Sequence, residues 1–149
     1  MKFGKILIKR MTNGDINDIV ELEKKSFHNP WTKEMFENEL MHDNVYYFIA
    51  EHNNNLIGYV GFWHIVDEAH VTNICVDSSA QRNGVGMLMM GHLIDFCKSK
   101  NIIGVTLEVR KLNEKAINFY HKLGFKNEGI RKNYYSNPQE DAIIMWMKF

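Results

Sequence analysis

The sequence predicts an α+β protein in which a single mixed sheet carries helices on both faces. Two observations lead to this prediction. Short β-prone runs alternate with longer segments whose apolar residues recur at helical spacing, and no linker, repeat or low-complexity stretch interrupts the 149 residues. A chain of this length suits one domain, so we expect residues 1–149 to form a single domain. The predicted order of elements is β-α-α-β-β-β-α-β-α-β-β.

The first half of the chain contains a strand, two helices, a hairpin and a further strand. Thr12 opens the first helix and Thr32 caps the second, where Trp31 and Phe36 are spaced to form a hydrophobic staple. The apolar positions that roughly follow helical spacing in the first helix are Ile16, Ile19, Val20, Leu22 and Phe27. The predicted strands are Lys5 to Arg10, Tyr46 to Glu51, Leu56 to Trp63 and His70 to Val76, with residues 52–55 as the hairpin turn.

The second half starts from a glycine-containing loop and ends in two strands. A helix follows the loop, and its expected apolar stripe comprises Val85, Leu88, Met89, Leu93, Phe96 and Cys97. The remaining predicted elements are a strand from Ile102 to Arg110, a helix from Asn113 to Leu123 that stops at Gly124, and two strands around Asn137-Pro138.

The loop Gln81-Arg82-Asn83-Gly84-Val85-Gly86-Met87 has the composition of an anion cradle. Two glycines beside a helix start keep side chains away, so consecutive backbone N–H groups can point at one anion together with the positive end of the helix dipole. A phosphate group is therefore the ligand that we expect. Glycine pairs also occur in ordinary loops, so this pattern alone leaves both interpretations open.

Other phosphate-binding motifs fit this loop less well. A dinucleotide-binding fingerprint needs a third glycine where this chain has Met89, and its glycines should follow the strand almost at once. Glu108 lies roughly where such a fold places its ribose-binding acid, which keeps this alternative open. The nucleotide P-loop needs glycine and lysine followed by serine or threonine, and the sequence lacks that combination.

Composition argues against several classes of function. Lys plus Arg and Asp plus Glu each number 18, so no excess of positive charge favours binding to DNA or RNA. The seven histidines show no ligand spacing, so we expect no metal, and Cys75 and Cys97 are expected to be reduced thiols. The apolar start is too short and too charged for a signal peptide, and no run could span a membrane. We therefore expect a cytoplasmic protein without membrane contact.

Two ionisable side chains are candidates for acid–base chemistry. Strict alternation places Glu108 in the middle of its strand on the polar face, where a carboxylate costs stability unless it is paired or functional. A salt bridge to Arg110 or to a neighbouring strand is the structural alternative. Tyr120 lies on the inward face of its helix with a hydroxyl that needs a partner, and a packed ring without a catalytic role is the alternative there.

Three further runs of residues in the second half of the chain form recognisable motifs. They are Leu107-Glu108-Val109-Arg110 with Asn113, Ala116-Ile117-x-Phe119-Tyr120-x-x-Leu123-Gly124-Phe125, and Ile130-Arg131-Lys132-Asn133-Tyr134-Tyr135 with Glu140-Asp141-Ala142-Ile143-Ile144-Met145. The first two runs and the loop pattern Gln-x-x-Gly-x-Gly resemble the acetyl-CoA-binding half of the GCN5-related N-acetyltransferases (GNAT family). The third run, with Asn29-Pro30-Trp31-Thr32, Asp67-Glu68-Ala69 and Asn73-Ile74-x-Val76-Asp77, is similar to the RimI branch of that family.

This resemblance implies a GNAT fold with a mostly antiparallel sheet of about seven strands, and an enzyme that takes an acetyl group from acetyl-CoA. RimI enzymes acetylate the α-amino group of the alanine that begins protein eighteen of the small ribosomal subunit, so the implied partner is a protein N-terminus. The resemblance gives Glu108 the role of general base and Tyr120 that of general acid. The cofactor-binding residues that it implies are Ile74, Cys75, Val76, Arg82, Asn83, Gly84, Val85, Gly86, Met87 and Asn113.

One departure from the family pattern lies at the end of the loop, where Met87 stands in place of the Arg or Lys of many relatives. We expect weaker cofactor binding, or a shift of the phosphate-binding task to Arg82. The candidates for an acceptor groove are the aromatic Trp31, Tyr134 and Tyr135 and the acidic Asp67, Glu68 and Asp141. Two further hypotheses stay open: acetylation of a small amine or of other protein N-termini, and a non-catalytic acyl-CoA-binding module.

Overall fold

The computed structural model describes residues 4–149 and has the element order that the sequence predicts. The strands in this part of the chain are β1 (Leu7–Arg10), β2 (Val45–His52), β3 (Asn55–Ile65), β4 (Glu68–Val76), β5 (Gly104–Arg110), β6 (Lys126–Ser136) and β7 (Gln139–Lys148). The helices are α1 (Ile16–Ser26), α2 (Lys33–Leu40), α3 (Val85–Ser99) and α4 (Glu114–Leu123).

The strands form one sheet in the order β1-β2-β3-β4-β5-β7-β6. Neighbouring strands run antiparallel except β4 and β5, which are parallel, so the predicted mixed and mostly antiparallel sheet is confirmed. The pairing between β4 and β5 ends early, and its last pair joins His70 to Thr106. Beyond that pair the two central strands separate, and we call the gap between their carboxyl-terminal parts the β4–β5 wedge.

Helices cover both faces of the sheet, as predicted. On one face α3 and α4 pack around a core that includes Met89, Leu93 and Tyr120. On the other face α1 and α2 pack around a core that includes Ile19 and Phe36. Because the side chains of a strand alternate between the faces, a slip of one residue would expose apolar side chains from both cores, and the two cores therefore fix the register.

The predicted helix boundaries are mostly confirmed. The Thr32 hydroxyl accepts the N–H of Met35 at 3.2 Å, and the rings of Trp31 and Phe36 lie 5.2 Å apart, as a cap and a hydrophobic staple require. At the end of α4, Gly124 has a φ of 112°, a left-handed conformation that favours glycine.

Two residues predicted to lie in buried helical stripes are exposed instead. Phe27 is 43% exposed because α1 ends at Ser26 and Phe27 itself has an extended backbone, with φ −130° and ψ 147°. Leu88 is 44% exposed, whereas Met90 is fully buried. These two residues lie about 100° on either side of Met89 around the helix axis, and the sheet covers the Met90 side.

Candidate active site

The loop between β4 and α3 is held in shape by its own side chains. Asp77 begins the loop, where its carboxylate accepts the N–H of Ser79 at 3.0 Å and pairs with Lys25 of α1 at 2.8 Å. Asn83 is buried, and its amide group donates to the backbone carbonyls two and three residues earlier, both at 3.1 Å. The loop conformation is thus built into the free protein.

The two glycines of this loop are required for different reasons. Gly84 has a φ of 78°, in the left-handed region, and a side chain there would project into open space. Gly86 lies in the first turn of α3, where a Cβ atom would approach the Phe119 ring of α4 to 3.1 Å. The first-turn N–H groups of α3 have no carbonyl one turn earlier, so they are free to face a ligand. An open rim of N–H groups at the positive end of a helix fits a phosphate.

Besides Lys25, which is paired with Asp77, the cationic side chains of Arg82 and Lys115 lie at the loop, although its last residue is the apolar Met87. Arg82 belongs to the loop itself and is exposed, with a left-handed φ of 67°. Lys115 of α4 donates from Nζ to Oε1 of Gln81 at 3.3 Å. Sequence reasoning did not single out Lys115, because only the packing of α4 against the start of α3 places it beside the loop.

The carboxyl end of β4 forms one side of the wedge. Ile74, Cys75 and Val76 pair with β3 along one edge, and the opposite edge faces β5 without a ladder among the described residues. Burial raises the pKa of the Cys75 thiol, which therefore stays protonated and unreactive. The same holds for Cys97, whose pKa burial raises to about 12.

A cavity of about 410 Å³ opens beside the wedge, on the sheet face opposite α3 and α4. Its walls include Trp63, Ile65, His70, Glu108, Tyr134 and Tyr135. The Tyr134 hydroxyl donates to Oε1 of Glu108 at 3.2 Å, and the Tyr134 and Tyr135 rings meet edge to face at 5.0 Å. Three of the predicted site residues thus come together here. The sequence left open a salt bridge between Glu108 and Arg110. That alternative is wrong, because Arg110 pairs with Glu140 instead, at 3.2 Å.

Tyr120 lies on the other face of the sheet, in the core beneath α3 and α4. Its ring is buried between Phe119 and Phe125, with centroids 5.2 Å and 5.6 Å away. Burial first, and then the electrostatic influence of Tyr135, raise the pKa of Tyr120 to about 12. Its phenol therefore stays protonated at physiological pH.

Two other predicted site residues have structural roles. The side-chain oxygen of Asn113 caps α4 by accepting the N–H of Ala116 at 3.2 Å. Trp31 packs on Phe36, and its backbone N–H donates to Oε2 of the buried Glu23 at 3.0 Å. Trp31 does not line the cavity, so the structure does not bring it together with Glu108.

The cavity also contains residues that sequence reasoning missed. His70 was expected to be an ordinary surface or core histidine, yet it lines the cavity, with Nε2 at 3.2 Å from Oε1 of Glu68. Trp63 was assigned only to a strand. Local pattern could not identify either residue, because their positions depend on how β3, β4 and β5 pair.

Within residues 4–149, no three His, Cys, Asp or Glu side chains are grouped to hold a metal ion. None of the described helices combines the length and the apolar character needed to cross a membrane.

A preorganised glycine loop at a helix start, a gap between two parallel central strands and a carboxylate in the adjoining cavity together define a class of acyl-transfer enzymes. The chain belongs to the acetyltransferase (GNAT) family, whose model matches residues 16–125. It is therefore an acetyltransferase, and enzymes of this family use acetyl-CoA as the acetyl donor.

Individual proteins of known name show which members of the family this chain resembles. A Bacillus subtilis protein, provisionally named ribosomal protein bS18-alanine N-acetyltransferase, is 38% identical over 145 residues, which cover 96% of this chain and 95% of that protein. The crystal structure of the ribosomal-protein-S18-alanine N-acetyltransferase from Escherichia coli is 31% identical and covers 97% of this chain and 94% of its own, with a TM-score of 0.89. A provisionally named streptothricin acetyltransferase from Bacillus anthracis, solved with acetyl coenzyme A, shares the fold at 20% identity and a TM-score of 0.82, covering 97% of this chain and 100% of its own.

Proposed function

We propose that this enzyme acetylates the α-amino group of a protein N-terminus, and that its acceptor is the alanine that begins ribosomal protein bS18. The observation that carries the proposal is the position of Glu108, whose carboxylate lines a cavity directly beside the β4–β5 wedge. The similarity to relatives named for this acceptor supports it.

The residues around the wedge fit acetyl-CoA. Backbone N–H groups of residues 82–87 would hold its diphosphate, with Arg82 as a nearby cation, and Asn113 and residues 74–76 would flank its arm. Acetyl-CoA supplies an activated thioester. A backbone N–H on the open edge of β4 is suited to stabilise negative charge on the thioester oxygen, a contribution of about 3 kcal/mol for one well-placed donor.

Glu108 is proposed to remove the proton from the acceptor amine. An α-amino group has a pKa of about 7.7 to 8.0, so a sizeable fraction is already neutral at physiological pH. A carboxylate that acts directly or through one water molecule is therefore a sufficient base. Tyr134 hydrogen-bonds to this carboxylate, so we assign Tyr134 and Tyr135 to acceptor binding. The role of Trp31 in acceptor binding stays a prediction.

Tyr120 is proposed to protonate the departing CoA thiolate. A phenol whose pKa is raised to about 12 gives up its proton to the thiolate of a thiol with a pKa of about 8.5 only when transfer is coupled to cleavage of the carbon–sulfur bond. The raised pKa also keeps the proton on Tyr120 until that moment.

The test is an acetylation assay with a synthetic peptide that begins with alanine. Mass spectrometry after incubation with acetyl-CoA should show one added acetyl group on the α-amine, and the same peptide with a blocked α-amine but free lysines should gain none. Competition against polyamines and aminoglycosides should favour the peptide by a large ratio of rates. Transfer only to the small amines, or no transfer to any alanine peptide, would contradict the proposal.

Glu108→Gln separates an enzyme from a module that merely binds acyl-CoA. We expect this variant to lose about 100-fold or more in kcat while its affinity for acetyl-CoA stays the same. The exposed Glu128 offers a matched control, since Glu128→Gln removes a carboxylate from β6 outside the cavity wall. Equal turnover in the Glu108→Gln variant and the control would rule out the assigned base.

A further inference from the structure

Arg110, the last residue of β5, contacts the turn between β6 and β7 with its whole guanidinium group. Nη1 donates to the carbonyl of Pro138 at 2.9 Å and to Oε1 of Glu140 at 3.2 Å, and Nη2 donates to the carbonyl of Asn137 at 3.4 Å. The same group lies 4.2 Å from the centroid of the Tyr135 ring. One side chain therefore links β5, the turn and the cavity wall.

The ion pair within this set is partly sheltered from water. The Arg110 side chain is 31% exposed and that of Glu140 is 13% exposed. The second carboxylate oxygen of Glu140 accepts the N–H of Leu112 at 2.8 Å, so both oxygens are engaged by the chain that leaves β5. Sheltered, multiply hydrogen-bonded pairs hold their geometry better than isolated surface pairs.

The segment that carries the two cavity tyrosines is irregular. The pairing of β6 with β7 shifts register between Arg131 and Tyr135, and Asn133 within this stretch has a φ of 55°. Such bulges redirect side chains at the cost of regular ladder hydrogen bonds. Tyr134 lies inside the irregular stretch, and Tyr135 is the first residue after it to pair again, opposite Glu140. Contacts from outside the ladder therefore add to what holds these two residues, and the contacts of Arg110 with Tyr135 and with the adjoining turn are of this kind.

We propose that Arg110 is a positioning residue for the acceptor: by holding the β6–β7 turn and the Tyr135 ring, it keeps Tyr134 and Tyr135 in place as the cavity wall beside Glu108. This inference rests on the proposed function, in which the acceptor N-terminus binds in that cavity. A lysine cannot replace Arg110, because a single ammonium group lacks both the planar fork and the flat face that stacks on the ring.

Arg110→Gln and Arg110→Lys test the proposal through kinetics. In the glutamine variant we expect the KM for the alanine peptide to rise about tenfold, whereas kcat and the Kd for acetyl-CoA change less than about twofold; the lysine variant should recover little of the loss. Arg10 of β1 provides the matched control. Its guanidinium lies 4.5 Å from the ring of Tyr46 on β2, away from the cavity. Arg10→Gln should leave the peptide KM unchanged.

A double-mutant cycle shows whether Arg110 acts through the wall. With Tyr135→Leu already present, Arg110→Gln should raise the peptide KM by clearly less than it does alone, because both changes disturb the same wall. Independent, multiplying effects would overturn the proposal. So would a matching loss of acetyl-CoA affinity, which would indicate general structural damage.

Hydrogen exchange tests the positioning without any acceptor. The backbone N–H groups of residues 133–140, apart from Pro138, which has none, should exchange faster in Arg110→Gln than in the wild type, whereas those of α1 should not change. Unchanged exchange in residues 133–140, or faster exchange with an unchanged peptide KM, would overturn the proposal. If the wild type acetylated no alanine peptide, the proposed function would fail, and the exchange measurement alone would decide whether Arg110 holds the wall.

Discussion

Glu108 and Tyr120, one residue on a strand and one on a helix, lie on opposite faces of the sheet. Glu108 lines the cavity, whereas Tyr120 belongs to the core beneath α3 and α4. Alternation along β5 explains the separation, because Leu107 and Val109 pack into that core and Glu108 must point the other way. The proposed base therefore lies on the proposed acceptor side and the proposed acid on the opposite side, which suits a reaction in which the acceptor enters and the thiol leaves in different directions.

Removing the Tyr120 hydroxyl tests the proposed role of this residue as general acid. We expect Tyr120→Phe to lower kcat by about 100-fold with little change in acetyl-CoA affinity, as loss of a general acid does. Because burial raises the pKa of Tyr120 to about 12, the wild-type kcat should show no decline from phenol ionisation between pH 8 and pH 10. Tyr46→Phe, which removes a hydroxyl near Arg10, is the control. A Tyr120→Phe variant as fast as Tyr46→Phe would show that Tyr120 is only a packed ring.

Met87 supports a prediction about charge at the loop. Met87 is 45% exposed in the first turn of α3, so Met87→Arg would add a cation beside the proposed diphosphate site without disturbing the core. We expect the Kd for acetyl-CoA to fall about threefold at low salt, and this gain should shrink as ionic strength rises. Calorimetric titration measures it. Met41→Arg, at an 80% exposed position after α2, should have no effect, and an equal gain there would point to net charge alone.

At the scale of elements, the starts of α3 and α4 are built around one loop. Gly86 allows the Phe119 ring to pack on the first turn of α3, and one turn earlier on α4 Lys115 contacts Gln81. The spacing of four residues puts Phe119 and Lys115 on the same face of α4. The loop is therefore supported by a helix that follows it by almost 30 residues in the sequence.

The ion pair between Asp77 and Lys25 ties the same loop to α1 and predicts a dependence of stability on pH. Hydrogen bonding from Lys25, followed by that from Ser79, lowers the pKa of Asp77 below its ordinary value of 3.8. A lowered carboxyl pKa stabilises the fold above the ordinary value, and this stabilisation is lost as pH falls through the lower, folded-state pKa. Asp77→Asn keeps a capping side chain but removes the charge.

We expect Asp77→Asn to lower the free energy of unfolding by up to about 1 kcal/mol at pH 7, with the difference from the wild type shrinking as the pH falls below the ordinary value of 3.8. Urea denaturation at several pH values measures both quantities. The exposed Asp43 gives the control variant Asp43→Asn. A difference that stays constant down to pH 2.5 would contradict an origin in the carboxylate charge.

At the scale of the whole molecule, the sheet is continuous at one end and divided at the other. β4 and β5 pair from Glu68 and Gly104 up to His70 and Thr106 and then separate. Each half of the divided sheet is paired on its other side, β4 with β3 and β5 with β7, and both halves contribute to the core beneath α3 and α4. The wedge therefore lies between two supported edges, with the glycine loop on one side and the cavity on the other.

Much of this organisation was predictable from local pattern. The element order, the cap at Thr32, the stop at Gly124 and the polar orientation of Glu108 all follow from residue types and periodicities within a few positions of one another. The error at Phe27 came from the end of α1 at Ser26, and the error at Leu88 arose because helical spacing defines a stripe but not which flank of it the sheet will cover.

The sequence by itself determined the class of fold, the glycine loop and, through the family motifs, the acetyltransferase chemistry, because these depend on local backbone preferences and short ordered runs. Only the tertiary structure decided where β4 and β5 part, that Tyr134 reaches Glu108, and that Arg110 binds a turn 27 to 30 residues away. The physical reason is that strand register and helix packing bring together groups far apart in the chain. Neighbouring residues contain no signal for such contacts.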